Sequence, residues 1–228
     1  MKRTWAVVPV KSRERAKERL REALAAEERA LLVTAMLADV LAALTAARLV
    51  AGVAVQSTDH ELLALARGWG AEVLLESAAL GYHAAADAAA RLAEARGWEA
   101  LLVLPADVPL LTARDVDELI ALNEAHPRGV VLCPDRAQRG TNALLRRPPA
   151  CIAAQFGPDS LLRHQQAARA AGLTCRVWLN PNLALDVDTP DDLRLVLDRG
   201  GGPATRRALA QLGIAERFPR LAASGAGR

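Results

Sequence analysis

Residues 100–110 read ALLVLPADVPL, and this stretch decides the fold. Ala100 to Leu104 is apolar throughout, without the alternation of a strand that keeps one face in water. Such a run suits a strand buried on both faces, as in a parallel sheet covered by helices. Pro105 and Pro109 follow at once and restrict the backbone on either side of Asp107. A strand that delivers one rigid carboxylate at its carboxyl end fits an open α/β sheet, where ligands bind beyond those ends.

Working outward, the same grammar repeats. Strands are predicted at Thr4–Val10, Leu49–Val55, Ala71–Leu75, Gly129–Cys133, Asn142–Leu145 and Thr174–Leu179. Between them lie helical segments. Ser12–Leu20 could start a short helix. Glu27–Ala47 carries Leu31, Leu32, Ala35, Met36, Val40 and Leu41 along one stripe. Further helices are expected at His60–Trp69 behind Ser57-Thr58-Asp59, at Tyr82–Arg96, from Thr112 with Asp115 as its acidic partner, at Ser160–Ala171 and at Pro190–Leu197. Alternation of this kind argues for an α/β fold, a mainly parallel sheet with helices on both faces. No repeat or linker divides the chain, so residues 1–228 are read as a single domain. The end, about residues 215–228, closes on AASGAGR and is expected to fray.

Composition narrows the function. The chain has 228 residues and 52% hydrophobic content, enough for one buried core. A net charge of +3 suits anionic substrates. Nucleic acid is disfavoured as a partner, because aromatics for base stacking make up only 3% of the chain. Cys133, Cys151 and Cys175 form no C-x-x-C pair, which argues against a disulfide scaffold or zinc site; Cys133 reads as core. No signal peptide or membrane span is visible, so a cytoplasmic enzyme is expected.

The strand ends hold the candidate chemistry. Lys11, Lys17 and Arg19 follow the first strand and could grip phosphates, although a solvated helix explains them equally well. Asp107 suits a hard cation such as Mg²⁺ or Mn²⁺. Arg139-Gly140-Thr141-Asn142 is either a plain hairpin turn or a polar loop that a ligand can approach closely. Phe156-Gly157-Pro158-Asp159-Ser160 precedes a helix that Ser160 could cap or make into an anion site. In Leu185-Asp186-Val187-Asp188-Thr189-Pro190 two carboxylates one residue apart in an extended segment share a side, and with Asp107 they could surround one metal. Thr189-Pro190 is also a helix start. His60 and His126 read as surface residues and His164 as structural. No P-loop, dinucleotide fingerprint or nucleophilic triad is present.

These motifs, VPVK with AKERL, LPADVPLL, GTNALL, FGPDS and LDVDTPDDL, occur in the order seen in the phospholactate guanylyltransferase family, which the chain resembles from about residue 4 to residue 195. That family is similar to the wider nucleotidyltransferases that activate sugars and the molybdenum cofactor. The resemblance implies a Rossmann-like fold and transfer of GMP from GTP to 2-phospho-L-lactate, phosphoenolpyruvate or 3-phospho-D-glycerate. The product feeds biosynthesis of a deazaflavin coenzyme. By motif, Asp107 matches the first metal aspartate. The second is Asp186 or Asp188, with Asp188 favoured because related families use the Asp of their own D-T-P. Thr141, Gly157 and Ser160 match positions that hold the acceptor acid, with Asn142 beside them. Lys11, Lys17 and Arg19 match the loop that contacts phosphate.

Two positions depart from the pattern. Gly81-Tyr82-His83-Ala84 stands where the family often shows G-L-N-A near the nucleobase, which makes Gly81 and His83 the base-side residues. Asp159 stands where a glycine is usual, adding a carboxylate near an anionic site. Other readings are a CTP-using or sugar- or molybdenum-cofactor-type nucleotidyltransferase, and a non-catalytic nucleotide-binding regulator. A homodimer is plausible.

Overall fold

The computed structural model describes residues 4–13, 17–78, 81–124, 126 and 128–218. Seven strands form one sheet: β1 (Thr4–Pro9), β2 (Val50–Ser57), β3 (Glu72–Leu75), β4 (Ala100–Val103), β5 (Gly129–Pro134), β6 (Thr141–Arg147) and β7 (Thr174–Val177). Their order is β3-β2-β1-β4-β6-β5-β7. The pairs β1–β2, β1–β4, β2–β3 and β5–β7 are parallel. β6 runs antiparallel to both β4 and β5. The mainly parallel α/β sheet read from the sequence is therefore present, with one reversed strand.

That reversal has a local cause. Residues 135–140 form the turn of a β5–β6 hairpin, where the Arg139 N–H donates to Asp135 Oδ1 at 2.9 Å. A Cβ on Gly140 would lie 2.6 Å from Asp135 Oδ2. Gly140 is thus required by its own turn, as the hairpin reading of Arg139–Asn142 expects.

Two helical layers cover the sheet. α1 (Ala26–Ala46), α2 (His60–Gly68) and α4 (Ala113–Glu124) lie on one face, α3 (Tyr82–Ala95) and α5 (Ser160–Ala170) on the other. Strand alternation divides the core accordingly. Ala6, Val8, Leu102 and Leu104 face the first layer, while Trp5, Val7, Leu101 and Val103 face the second. Cys133 is fully buried among the first set. The caps read from sequence are in place: Asp59 accepts from the Leu62 N–H, and Thr112 and Asp115 bond reciprocally at the start of α4.

A third apolar cluster lies at the carboxyl edge. It joins α1 to a short 3-10 helix (Glu18–Leu20), to the segment before α6 (Pro190–Arg199), and to α7 (Pro203–Gln211) and α8 (Ile214–Arg217). The short helix read within Ser12–Leu20 is this 3-10 helix, with residues 14–16 outside the described residues. Residues 214–217 are helical, which corrects the expectation of fraying from 215; AASGAGR lies outside the described residues. Among the described residues α1 is, by length and composition, long and apolar enough to cross a membrane, yet most of that stretch is buried within the fold. Its apolar side chains are instead absorbed by the sheet and by α7.

Candidate active site

The chain runs from β1 out to β2 and β3, then returns to place β4 on the other side of β1. This change of direction leaves a crevice beyond the carboxyl ends of β1 and β4. Val10 and Lys11 leave β1 here, and Pro105–Asp107 leave β4. A cleft of about 480 Å³ opens at that point, lined by Lys11, Lys17, Arg19, Asp107, Thr141, Asn142, Gly157, Asp186 and Asp188 among others. A second cavity of about 780 Å³ adjoins it, sharing Pro9, Val10, Lys11, Glu18 and Tyr82 and extending to Thr58, Glu76 and Gly81. Both volumes are in the range of small-ligand sites.

The aspartates converge because their loops are bonded to each other. The Val187 N–H donates to the Asp107 carbonyl at 3.0 Å, and the Gly202 N–H to the Pro109 carbonyl at 2.8 Å. Val187 is fully buried between Asp186 and Asp188, so both carboxylates turn to the cleft. The D-T-P-D-D run caps α6 at the same time. Asp192 Oδ2 accepts from the Asp188 and Thr189 N–H groups at 3.1 and 2.9 Å, which fixes the Asp188 backbone.

Lys17 lies between the carboxylates. Its side chain is only 7% exposed, and its ammonium contacts Asp107 and donates to Asp188 Oδ1 at 3.0 Å. Arg19 adds a bond to Asp188 Oδ2 at 3.2 Å. Burial opposes the Lys17 charge, but Asp107 and Asp188 outweigh it and raise its pKa. Burial likewise works against ionised Asp188, and Lys17 with Arg19 and Lys11 still holds its pKa below the usual range. Asp186 is pushed up to about 6, first by burial and then by Asp107, while a 3.1 Å bond from Asn142 acts the other way. Lys17 is thus engaged with the two aspartates, where the sequence reading had grouped it with the phosphate-facing cations. Lys11 and Arg19 line the cleft.

The oxygens suit a hard divalent cation. Asp107 Oδ1 is buried with no hydrogen-bond partner among the described residues. Asp107 and Asp188 share the Lys17 ammonium, and magnesium typically takes one or two carboxylates together with substrate phosphates. Among the described residues no cluster of three or more His, Cys, Asp or Glu side chains stands close enough to hold a metal by itself. The two-carboxylate arrangement, completed by a ligand, is the one these residues fit.

The acceptor-side residues divide. Thr141, Asn142 and Gly157 line the cleft, Gly157 with φ 118°. Ser160 does not line it: its hydroxyl donates to Thr141 Oγ1 at 3.1 Å. Nor does Ser160 cap α5, since it is the first residue of the helix and Asp159 holds the cap position without a side-chain bond. Asp159 is paired with Arg139 at 2.9 Å, which offsets its charge. Gly81 lines the second cavity, but His83 is exposed on the first turn of α3 and lines neither. Tyr82, missed as a site residue, lines both and packs edge-on to Phe156 at 4.6 Å. It is the only tyrosine of the chain, directly after a glycine with φ 81°.

Comparison with known proteins now decides the family. The family described as "Guanylyl transferase CofC like" matches residues 4–225. The chain belongs to it. This guanylyltransferase is 44% identical over 194 residues to the phosphoenolpyruvate guanylyltransferase of Sphaerobacter thermophilus, a match covering 83% of this chain and 90% of that one. It is 35% identical over 194 residues to the 3-phospho-D-glycerate guanylyltransferase of Colwellia psychrerythraea, covering 85% and 91%. Its fold matches a Desulfovibrio desulfuricans chain assigned to the nucleotide-diphospho-sugar transferases, with a TM-score of 0.73 at 20% identity over 94% of this chain and 97% of that one.

Proposed function

We propose that the enzyme transfers GMP from GTP to phosphoenolpyruvate or a close analogue, 2-phospho-L-lactate or 3-phospho-D-glycerate, and releases pyrophosphate. The route it serves is the making of a deazaflavin coenzyme in the cytoplasm. Phosphoenolpyruvate is placed first because the sequence is closer to the relative of that name than to the phosphoglycerate one. The observation that carries the reading is the Asp107–Lys17–Asp188 array at the crevice between β1 and β4.

The adjoining cavity, with Gly81 and Tyr82, takes the nucleoside, and the cleft takes the phosphates and the acceptor. An acceptor phosphate oxygen attacks the α-phosphorus of GTP, a P–O bond forms, and the bond to the β-phosphate oxygen breaks. No general base is needed, because the attacking oxygen is already ionised. Positioning and charge stabilisation supply most of the acceleration. Lys11 and Arg19 steady the leaving pyrophosphate. Asp107 and Asp188 would hold Mg²⁺ or Mn²⁺, with Asp186 alongside, and such a cation offsets charge on the phosphate oxygens. Thr141 and Gly157 hold the acceptor's remaining oxygens, and Asn142 beside them commits its amide protons to Leu183 and Asp186.

The test is a panel. Purified enzyme with Mg²⁺ is incubated with each of four nucleoside triphosphates and each of the three acids, and pyrophosphate is measured. Release with GTP and at least one of the acids is expected. Release with CTP in preference to GTP, or with no acid at all, would sink the assignment.

A further inference from the structure

His164 is fully buried, yet both ring nitrogens are engaged, and their partners fix a direction. The Gln155 backbone N–H points at His164 Nε2 from 2.8 Å. A backbone N–H can only donate, so Nε2 accepts and carries no proton. The neutral ring then has its proton on Nδ1, which donates to Thr141 Oγ1 at 3.1 Å. Ser160 Oγ donates to the same oxygen at 3.1 Å. A hydroxyl oxygen accepts two hydrogen bonds and donates one. Both acceptor places on Thr141 are filled from within the protein, so its own proton is directed to the remaining side, the cleft that Thr141 lines. Phe156 packs edge-on against the imidazole at 5.3 Å and holds its plane. Burial, with the nearby Arg146 and Arg163, favours the neutral ring this scheme needs.

We infer that His164 is a positioning residue that fixes the Thr141 hydroxyl as a hydrogen-bond donor to an anionic oxygen of the acceptor acid. This rests on the reading that Thr141 holds the acceptor. With the opposite tautomer Thr141 would have to donate inward, and its lone pairs would face the anion. The chain of bonds from Gln155 through His164 therefore sets the polarity of the acceptor end without itself touching substrate.

The test is a double-mutant cycle on Thr141→Val and His164→Phe, with phosphoenolpyruvate as the acceptor probe and GTP as donor. Each single variant is expected to raise the KM for phosphoenolpyruvate about tenfold or more, the scale of one lost bond to a charged group. The KM for GTP should stay within about twofold of wild type. The double variant should be no worse than Thr141→Val alone, because both changes remove the same donor. Should His164→Phe fail to fold, His164→Leu carries the test, since it likewise removes the donor to Thr141. Additive effects in the double variant, or a GTP KM rising in step with the acceptor KM, would overturn the inference. If Thr141→Val leaves the acceptor KM unchanged, the acceptor reading falls and takes the inference with it. If Thr141→Val raises it and neither His164 variant does, the inference alone fails.

Discussion

At the residue scale, His164 also links stability to pH. Burial, and then the charges of Arg146 and Arg163, push its pKa from the usual 6.5 down to about 4, with Asp87 opposing. Above pH 6.5 the ring is neutral in both folded and unfolded chains, so it has no effect on stability. As pH falls from 6.5 the unfolded chain takes up a proton that the folded one refuses, and stability drops until about pH 4. The full drop is on the order of 3 kcal/mol. A plot of Tm against pH should fall over this window in the wild type and flatten in His164→Gln. Equal slopes would show that the ring titrates normally in the fold. The sequence marked His164 as structural, and it is. Its second task was illegible because that depends on Gln155, Thr141 and Ser160 meeting across a helix and a hairpin. For His83 the motif pointed toward the nucleobase, whereas the fold leaves it exposed on the first turn of α3, lining neither cavity.

At the scale of elements, the site depends on how α1 and α7 are pinned beside the aspartate loops. Asp39 of α1 accepts from the Ala204 and Thr205 N–H groups at 2.9 and 2.7 Å, and so caps α7 from outside it. A Cβ on Gly202 would sit 2.2 Å from Asp39 Cγ. Gly202→Ala should therefore displace Asp39 from both amides and cost about 2 kcal/mol, read as a lower urea midpoint at unchanged m. An unchanged midpoint would show that α7 is held by its apolar contacts alone. The helices and strands were legible because hydrophobic period and cap residues mark them locally. The pairing of Asp39 with a helix start 165 residues later was not, since no local pattern encodes it. The reversed β6 escaped for the same reason: hairpin direction is settled by tertiary packing.

At the scale of the whole molecule, strand order does the positioning. β1 and β4 are sequence-distant neighbours whose carboxyl ends open the crevice, and the antiparallel β6 brings Thr141 and Asn142 to the same edge. The position of Asp107 in its strand-end loop could be read directly from ALLVLPADVPL. The choice between Asp186 and Asp188 could not, and the structure separates them by environment. Asp188 shares Lys17 with Asp107, while Asp186 is tied to Asn142. The most direct measurement of the central claim is pyrophosphate release by Asp107→Asn beside wild type, with saturating GTP, phosphoenolpyruvate and Mg²⁺. The expected result is a fall of about a hundredfold or more in kcat, with the Tm within a few degrees of wild type. Undiminished release by the folded variant would contradict the assignment of Asp107 to the chemistry.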